Sequence, residues 1–573
     1  MALVLHGEGV ARGVTLGRVH VLGRCRGHAL EEGLPRRRLA EEQARYRAAH
    51  AAARERLRAA RERAPAHFPL DAVALLELHL LMVDDAAFAR RPLELILERR
   101  CNAEAALHRQ CEELRRAFGE VADPYLRARG EEVLLVGQAI LRELDRLRPA
   151  GGPGAGEAPR LRRRVVLARE LSPADALLLY RQGAAAVVVE QGSAASHAAV
   201  LARGLGIPAV LGVRGASRYA RPGEQAVVDG GLGVLVLDPD AEALAHYRRR
   251  RASASGRRAA LARRSRRPAV TRDGVPVTLL ANLERPEEAE AAVARGAEGV
   301  GLLRSECLFL AGARPPDEQA QYAAYRQALR ALGGRPLTLR TLDLGADRLP
   351  APGGGPAVLR ALRPCYRHLD LFRTQLRAAL RAAAHGPLRL CFPMVGSLEE
   401  LARIRQLLEE ARAALEAQGL RAGRPPLGIM VEVPAAALLA PAFAARLDFL
   451  ALGTNDLAQY ALAVDRLDEG ARELYQPLHP AVLQLVHRTV EAGRAAGIPV
   501  TLCGELAAEP RWTRLLLGLG LRRLSLPPAA LPEVKAAVQG ATLAALEPLA
   551  RQALAAEEAA QVLELAERLN RQG

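Results

Sequence analysis

The spacing of apolar positions changes several times along the chain, and each change marks a new kind of element. Residues 1–23 carry short apolar runs broken by Gly7, Gly9, Gly13, Gly17 and Gly23, which predicts one or two strands joined by turns. Over residues 34–147 the apolar positions recur every three or four residues among Ala, Arg and Glu, the period of amphipathic helices. Breaks are expected near residues 65–69, 84–85, 100–102 and 123–124, where Pro, Asp or Asn interrupts the period. Residues 148–159 are rich in Gly, Pro and Ala and read as a linker, and strand-like and helix-like runs then alternate to residue 239. A basic helix is expected over residues 240–267. Beyond Thr271 eight apolar runs (VTLLAN, GVGLLR, LTLRTLD, LRLCFPM, LGIMVEV, FLALGTND, PVTLCGE and RRLSLPP) alternate with helical segments.

Eight strand–helix units in roughly 300 residues predict a closed (β/α)8 TIM barrel. The chain is therefore an α/β multidomain protein, since 573 residues exceed what one core supports. An α/β domain is expected from residues 1–23 and 148–239, interrupted by an all-helical insert at 24–147. A linker helix at 240–270 leads to the barrel at 271–573.

Composition narrows the class. Half of the residues are hydrophobic and a quarter charged, as in globular proteins. No apolar run is long enough for a membrane span, and the N-terminus lacks a secretory pattern. The seven cysteines are scattered without metal-type spacing, which points to reduced thiols and a cytoplasmic protein. The net charge of +17 comes from arginine, Lys535 being the only lysine. These arginines are spread along helices near glutamates, and aromatic residues are 3% of the chain, which argues against nucleic-acid binding.

Candidate chemistry gathers where a TIM barrel keeps its active site, at the C-terminal ends of the strands. There the sequence places Asn282, Arg304, Arg340 with Asp343, Glu432, Asn455 with Asp456, and Cys503 with Glu505. Carboxylates on neighbouring strand ends suit a hard divalent cation that keeps positions open for phosphate oxygens. Arginines at the same mouth supply planar forks matched to phosphate or carboxylate. Cys503 follows the strand of TLCGE and would face the same substrate, where a thiol can transfer a proton. In the N-terminal half, His197 begins a helical run after a turn containing glycine. Backbone N–H groups at a helix start can hold phosphate oxygens, and imidazole can carry a phosphoryl group.

These residues sit in recognisable motifs: GAEGVGLLRSECLFL, LRTLDLGAD, GIMVEVPAA, GTNDLAQYALAVDR and LCGELA in the barrel, and SHAAVLARGLGIPAVLGV around His197. Over nearly its whole length the chain resembles the Enzyme I family of the bacterial phosphoenolpyruvate-dependent sugar phosphotransferase system. The resemblance implies that residues 1–23 and 148–239 form a phosphohistidine domain with His197 as the phosphorylated residue. It implies that Arg304, Arg340, Arg360, Asn455, Asp456 and Arg466 hold phosphoenolpyruvate, that Glu432 and Asp456 bind Mg2+, and that Cys503 protonates the departing enolate. It further implies docking of the phosphocarrier HPr on the helical insert, where VALLELHLLMVDD matches best, and a homodimer formed through the barrel. Departures from the family pattern fall at Ser193 and Ala195 beside His197, and at Leu134 and Leu135 in the insert. They leave one competing reading, a regulatory relative that binds phosphoenolpyruvate or HPr without efficient turnover.

Overall fold

The computed structural model describes residues 2–22, 33–63, 70–120, 124–147, 161–192, 196–204, 206–265, 267–310, 315–343, 369–464 and 474–571. The chain divides into two compact units, Met1–Arg257 and Arg258–Gly573.

In the first unit eight strands form one mixed sheet. They are β1 (Leu3–His6), β2 (Glu8–Ala11), β3 (Val14–Val21), β4 (Arg164–Ala168), β5 (Ala186–Val189), β6 (Ala209–Leu211), β7 (Gln225–Asp229) and β8 (Val234–Leu237). Their order is β1-β8-β7-β3-β4-β5-β6-β2. The central strands β3 to β6 run parallel. The run AVVV of β5 is wholly buried, as expected of a parallel strand covered on both faces. The N-terminal stretch holds three strands rather than one or two. Each takes a different partner, β1 pairing with β8, β2 with β6, and β3 with β4 and β7. Short apolar runs predict strands but carry no information about such distant pairing.

Between β3 and β4 the chain builds a helical layer: Leu39–Glu62, Leu70–Asp84, Ala86–Ala89, Arg91–Arg99, Ala103–Gly119 and Pro124–Arg146. The helices stop at the expected breaks, with one more at Arg90. They enclose a core of their own around Tyr46, Leu76, Phe88, Ile96, Leu107 and Ile140. Tyr46 reaches across it to donate its hydroxyl to the Phe88 carbonyl at 2.7 Å. His79 and Glu132, both buried, meet at 2.5 Å and tie Leu70–Asp84 to Pro124–Arg146. A buried pair of this kind fixes register more than it adds stability.

The second unit is the barrel. Its strands are β9 (Thr278–Leu283), β10 (Val300–Arg304), β11 (Leu337–Arg340), β12 (Leu388–Phe392), β13 (Leu427–Val431), β14 (Phe449–Leu452), β15 (Val500–Leu502) and β16 (Arg523–Leu526). Each pairs in parallel with the next, and β16 returns to β9 to close the barrel. Helix starts follow local chemistry: Ser397 and Glu400 form a reciprocal capping box, and the Asp317 side chain accepts the Ala320 N–H. Lys535 is buried at 3% exposure and gives its ammonium to the carbonyls of Ser265 and Gly296, at 2.8 and 3.1 Å. A Lys535→Met variant is expected to lose about 2 kcal/mol, because two carbonyl oxygens would lose a charged donor. The readout is a lower denaturant midpoint with an unchanged slope; an unchanged midpoint would rule the interaction unimportant.

Candidate active site at the barrel mouth

The last residue of β11, Arg340, is the electrostatic centre of the mouth. The residue is 9% exposed, and its guanidinium forks between Glu306 Oε1 at 3.0 Å and Asp343 Oδ2 at 3.1 Å. Glu306 Oε1 also accepts the Asp343 N–H at 2.8 Å, so one carboxylate fixes both the arginine and the turn after β11. Burial would lower the Arg340 pKa, but Glu306, Asp343, Glu432 and Asp456 outweigh it and hold the group charged. The Arg340 Nε has no hydrogen-bond partner among the described residues.

Glu432 directly follows β13 and is 1% exposed. Its Oε1 accepts the Met394 N–H at 2.7 Å, while Oε2 has no partner among the described residues. Burial, then Asp343 and Asp456, push its pKa well above the usual carboxylate range, against the pull of Arg340 and the Met394 N–H. Met394 presents that N–H from a left-handed conformation, φ 56°, which costs a branchless side chain about 1 kcal/mol or more. Asp456, 9% exposed, lies in the first turn of the helix Thr454–Leu462 that follows β14. The pairing of Val431 with Leu452 sets Glu432 beside Gly453. Gly504 is required where β15 leaves the barrel, since a Cβ there would lie 1.9 Å from Thr454 Oγ1.

Cys503 follows β15 and is 4% exposed in an apolar cluster with Leu302, Cys391, Met430 and Phe449. Burial pushes its thiol up to about 12, so the sulfur keeps its proton at neutral pH. Asn282 donates to the Cys503 carbonyl at 3.0 Å and accepts the Ser525 hydroxyl at 2.6 Å, fixing the backbone that carries the thiol.

Other expected residues are placed differently. Arg304 ends β10 but is 41% exposed and paired with Glu284. Asn455 spends its side-chain amide on Glu505, donating to its Oε1 at 3.0 Å and accepting its N–H at 2.9 Å. Arg360, Arg466, Ser193 and Ala195 lie outside the described residues. His197 opens the helix His197–Gly204 in the first unit. Two participants escaped the sequence reading. Glu306 stands two residues beyond Arg304 in LLRSE, a signal as strong as those used elsewhere. Met394 enters through its backbone, and no side-chain pattern announces that.

Among the described residues no group of three or more His, Cys, Asp or Glu side chains is arranged around a common metal position. The donor set still fits a hard cation. Glu432 and Asp456 offer carboxylate oxygens, Glu432 Oε2 being buried without a hydrogen-bond partner among the described residues, and such an ion takes its remaining oxygens from water or phosphate.

The sequence matches three family models in succession: the N-terminal domain of PEP-utilising enzymes over residues 6–129, their mobile domain over 161–233, and their PEP-binding domain over 258–543. A phosphoenolpyruvate-protein phosphotransferase of Cupriavidus necator is 42% identical over 99% of this chain and 100% of its own length. The chain belongs to the phosphoenolpyruvate-protein phosphotransferase family. It is thus an enzyme of phosphoenolpyruvate-dependent phosphoryl transfer. A phosphotransferase of the same name from Bacillus sp. (strain S) is 36% identical over 85% of this chain and 84% of its own. The multiphosphoryl transfer protein of Rhodobacter capsulatus is 38% identical over 85% of this chain, which spans 58% of that longer relative. Among the described residues no helix is long and apolar enough to cross a membrane.

Proposed function

We propose that the protein moves the phosphoryl group of phosphoenolpyruvate to His197 and from there to the phosphocarrier HPr, as the first step of sugar uptake. The observation that carries this reading is the meeting, at one barrel mouth, of charged Arg340 and buried Glu432, one oxygen of which has no hydrogen-bond partner among the described residues. Arg304 and Arg340, joined by Arg360 and Arg466, neutralise the substrate's phosphate and carboxylate, and Asn455 assists. Glu432 and Asp456 hold Mg2+, which offsets charge on the phosphate when bound.

In the first step an imidazole nitrogen of His197 bonds to phosphorus as the bond from phosphorus to the enol oxygen breaks. The electron pair leaves with the enolate, and Cys503 gives its thiol proton to the enolate methylene carbon, forming pyruvate. Catalysis is mostly positioning and charge neutralisation. The phosphoryl group then passes from His197 to HPr, docked on the helical layer. Leu81, 71% exposed on Leu70–Asp84, offers an apolar contact for a partner there. The enzyme would act in the cytoplasm as a homodimer formed through the barrel.

The test is incubation of the full chain with Mg2+ and phosphoenolpyruvate labelled with 32P, beside His197→Ala. Acid-labile, alkali-stable label on the wild type alone, with pyruvate released and label passed to added HPr, is expected. Bound phosphoenolpyruvate with no label on the wild type would overturn the reading and leave a regulatory binder.

A further inference from the structure

The first unit contains a second concentration of positive charge that phosphoryl transfer does not use. A groove of about 420 Å³ is walled by Arg18 of β3, Arg162, Arg163 and Arg164 at the start of β4, and Arg248 and Arg251 of the helix Ala241–Ser265. Gln225 of β7 completes the polar lining. The strand register explains part of the crowding. Arg18 lies opposite Arg164 on one side and Gln225 on the other, so these three side chains leave the same face of the sheet. Like charges directly across a strand pair repel, and a neighbouring acid or a bound anion relieves the repulsion.

Nothing on the described chain does so. Several half-buried arginines elsewhere find carboxylates: Arg377 and Arg381 share Glu318, Arg45 sits between Glu42 and Glu104, and Arg142 pairs with Asp175. None of the six groove arginines has an ion-pair partner among the described residues, and Arg18 turns one N–H to the Gly223 carbonyl at 2.9 Å. The acidic residues before and at the end of the neighbouring strand β7 are engaged: Glu224 accepts the Arg221 N–H, and Asp229 pairs with Arg250 while accepting the N–H groups of Gly231 and Leu232. His20, two residues along β3, is held below its usual pKa first by burial and then by the neighbouring charge of Arg164. An arginine-rich composition accounts for many arginines; it does not account for six converging on one concavity without an acid among the described residues.

From this convergence we infer that the groove is a binding site for a small polyphosphate chain, either free or as the phosphate tail of a nucleotide. Guanidinium forks match phosphate oxygens two at a time, and six of them exceed what a single phosphate can engage. The volume lies in the range of small-ligand pockets rather than of an extended track. No aromatic side chain lines it, so it offers no platform for stacking a base, and the phosphate chain is the part recognised. Two of the arginines come from the helix, two from the strands β3 and β4 and two from the turn that leads into β4, so an occupant ties the helix segment within the first unit to the sheet. This site is independent of the transfer chemistry proposed above.

The test is calorimetric titration of the full-length protein with inorganic tripolyphosphate, in metal-free buffer at constant ionic strength. The comparison is with the triple variant Arg18→Gln, Arg248→Gln, Arg251→Gln and with the barrel variant Arg340→Gln. One binding event is expected, weakened about tenfold or more in the triple variant and unchanged in Arg340→Gln. Adenosine triphosphate should bind within a few-fold of tripolyphosphate, and self-phosphorylation of the triple variant without added polyphosphate should match the wild type. Should the triple variant fail to fold by its melting curve, the single exposed change Arg251→Glu replaces it, with the same expected direction. The inference fails if the wild type gives no binding heat, if the groove variants bind equally well, or if Arg340→Gln alone removes the site. It also fails if adenosine triphosphate binds far more tightly than tripolyphosphate, or if a single-stranded oligonucleotide outcompetes it.

Discussion

A Cys503→Ser variant is expected to release pyruvate about 10²–10⁴-fold more slowly than the wild type, with the KM for phosphoenolpyruvate nearly unchanged. The thiol is buried and its pKa pushed up to about 12, so it is fully protonated across the working range of pH. It is nevertheless a far stronger acid than the serine hydroxyl that replaces it. The substitution keeps the side-chain shape and the carbonyl held by Asn282, so binding through the arginines is preserved. Turnover should also show no loss from thiol ionisation below about pH 10, since burial raises this pKa rather than lowering it. Steady-state pyruvate release and deuterium incorporation at the methyl carbon in heavy water measure the effect. Unchanged turnover would assign the proton to another donor.

Glu432→Gln should lower turnover by about 10²–10³-fold, for a different reason. The amide keeps the acceptor for the Met394 N–H but removes the negative charge whose Oε2 has no hydrogen-bond partner among the described residues. That charge is costly without a cation, as the raised pKa states, so the variant should melt at a higher temperature than the wild type in chelator. Added Mg2+ should then raise the melting temperature of the wild type and leave that of the variant unchanged. Equal Mg2+ responses would remove Glu432 from the proposed cation site.

The sequence carries the barrel well, because eight runs such as LGIMVEV and FLALGTND are too short and too apolar for helices and recur with helical segments between them. It carries less of the mouth. Arg304 and Arg340 look alike at the ends of their strands, yet one is exposed beside Glu284 and the other buried among carboxylates. Nothing in either strand separates them, since the difference comes from Glu306, which follows β10 yet reaches across to Arg340 at the end of β11. Asn455 reads as a ligand group, but its amide braces Glu505, a pairing 50 residues distant. Met394 is invisible for another reason: its contribution is a backbone N–H in an unusual conformation. What sequence reveals is residue type at a strand end; what it hides is who arrives from elsewhere to share the space.

The pairing of the N-terminal sheet has a consequence for how the protein is made. None of the first three strands pairs with another of the three, and β3 has no β4 to pair with until the chain has grown past Arg164. At ribosomal speeds of about 5–20 residues per second, the roughly 140 residues between them take on the order of 10 s to emerge. The helical layer carries its own core and can collapse in that interval, while residues 3–21 wait as strand material without a template. Newborn chains are therefore most vulnerable to intermolecular strand addition, and most dependent on chaperone cover, before translation passes β8.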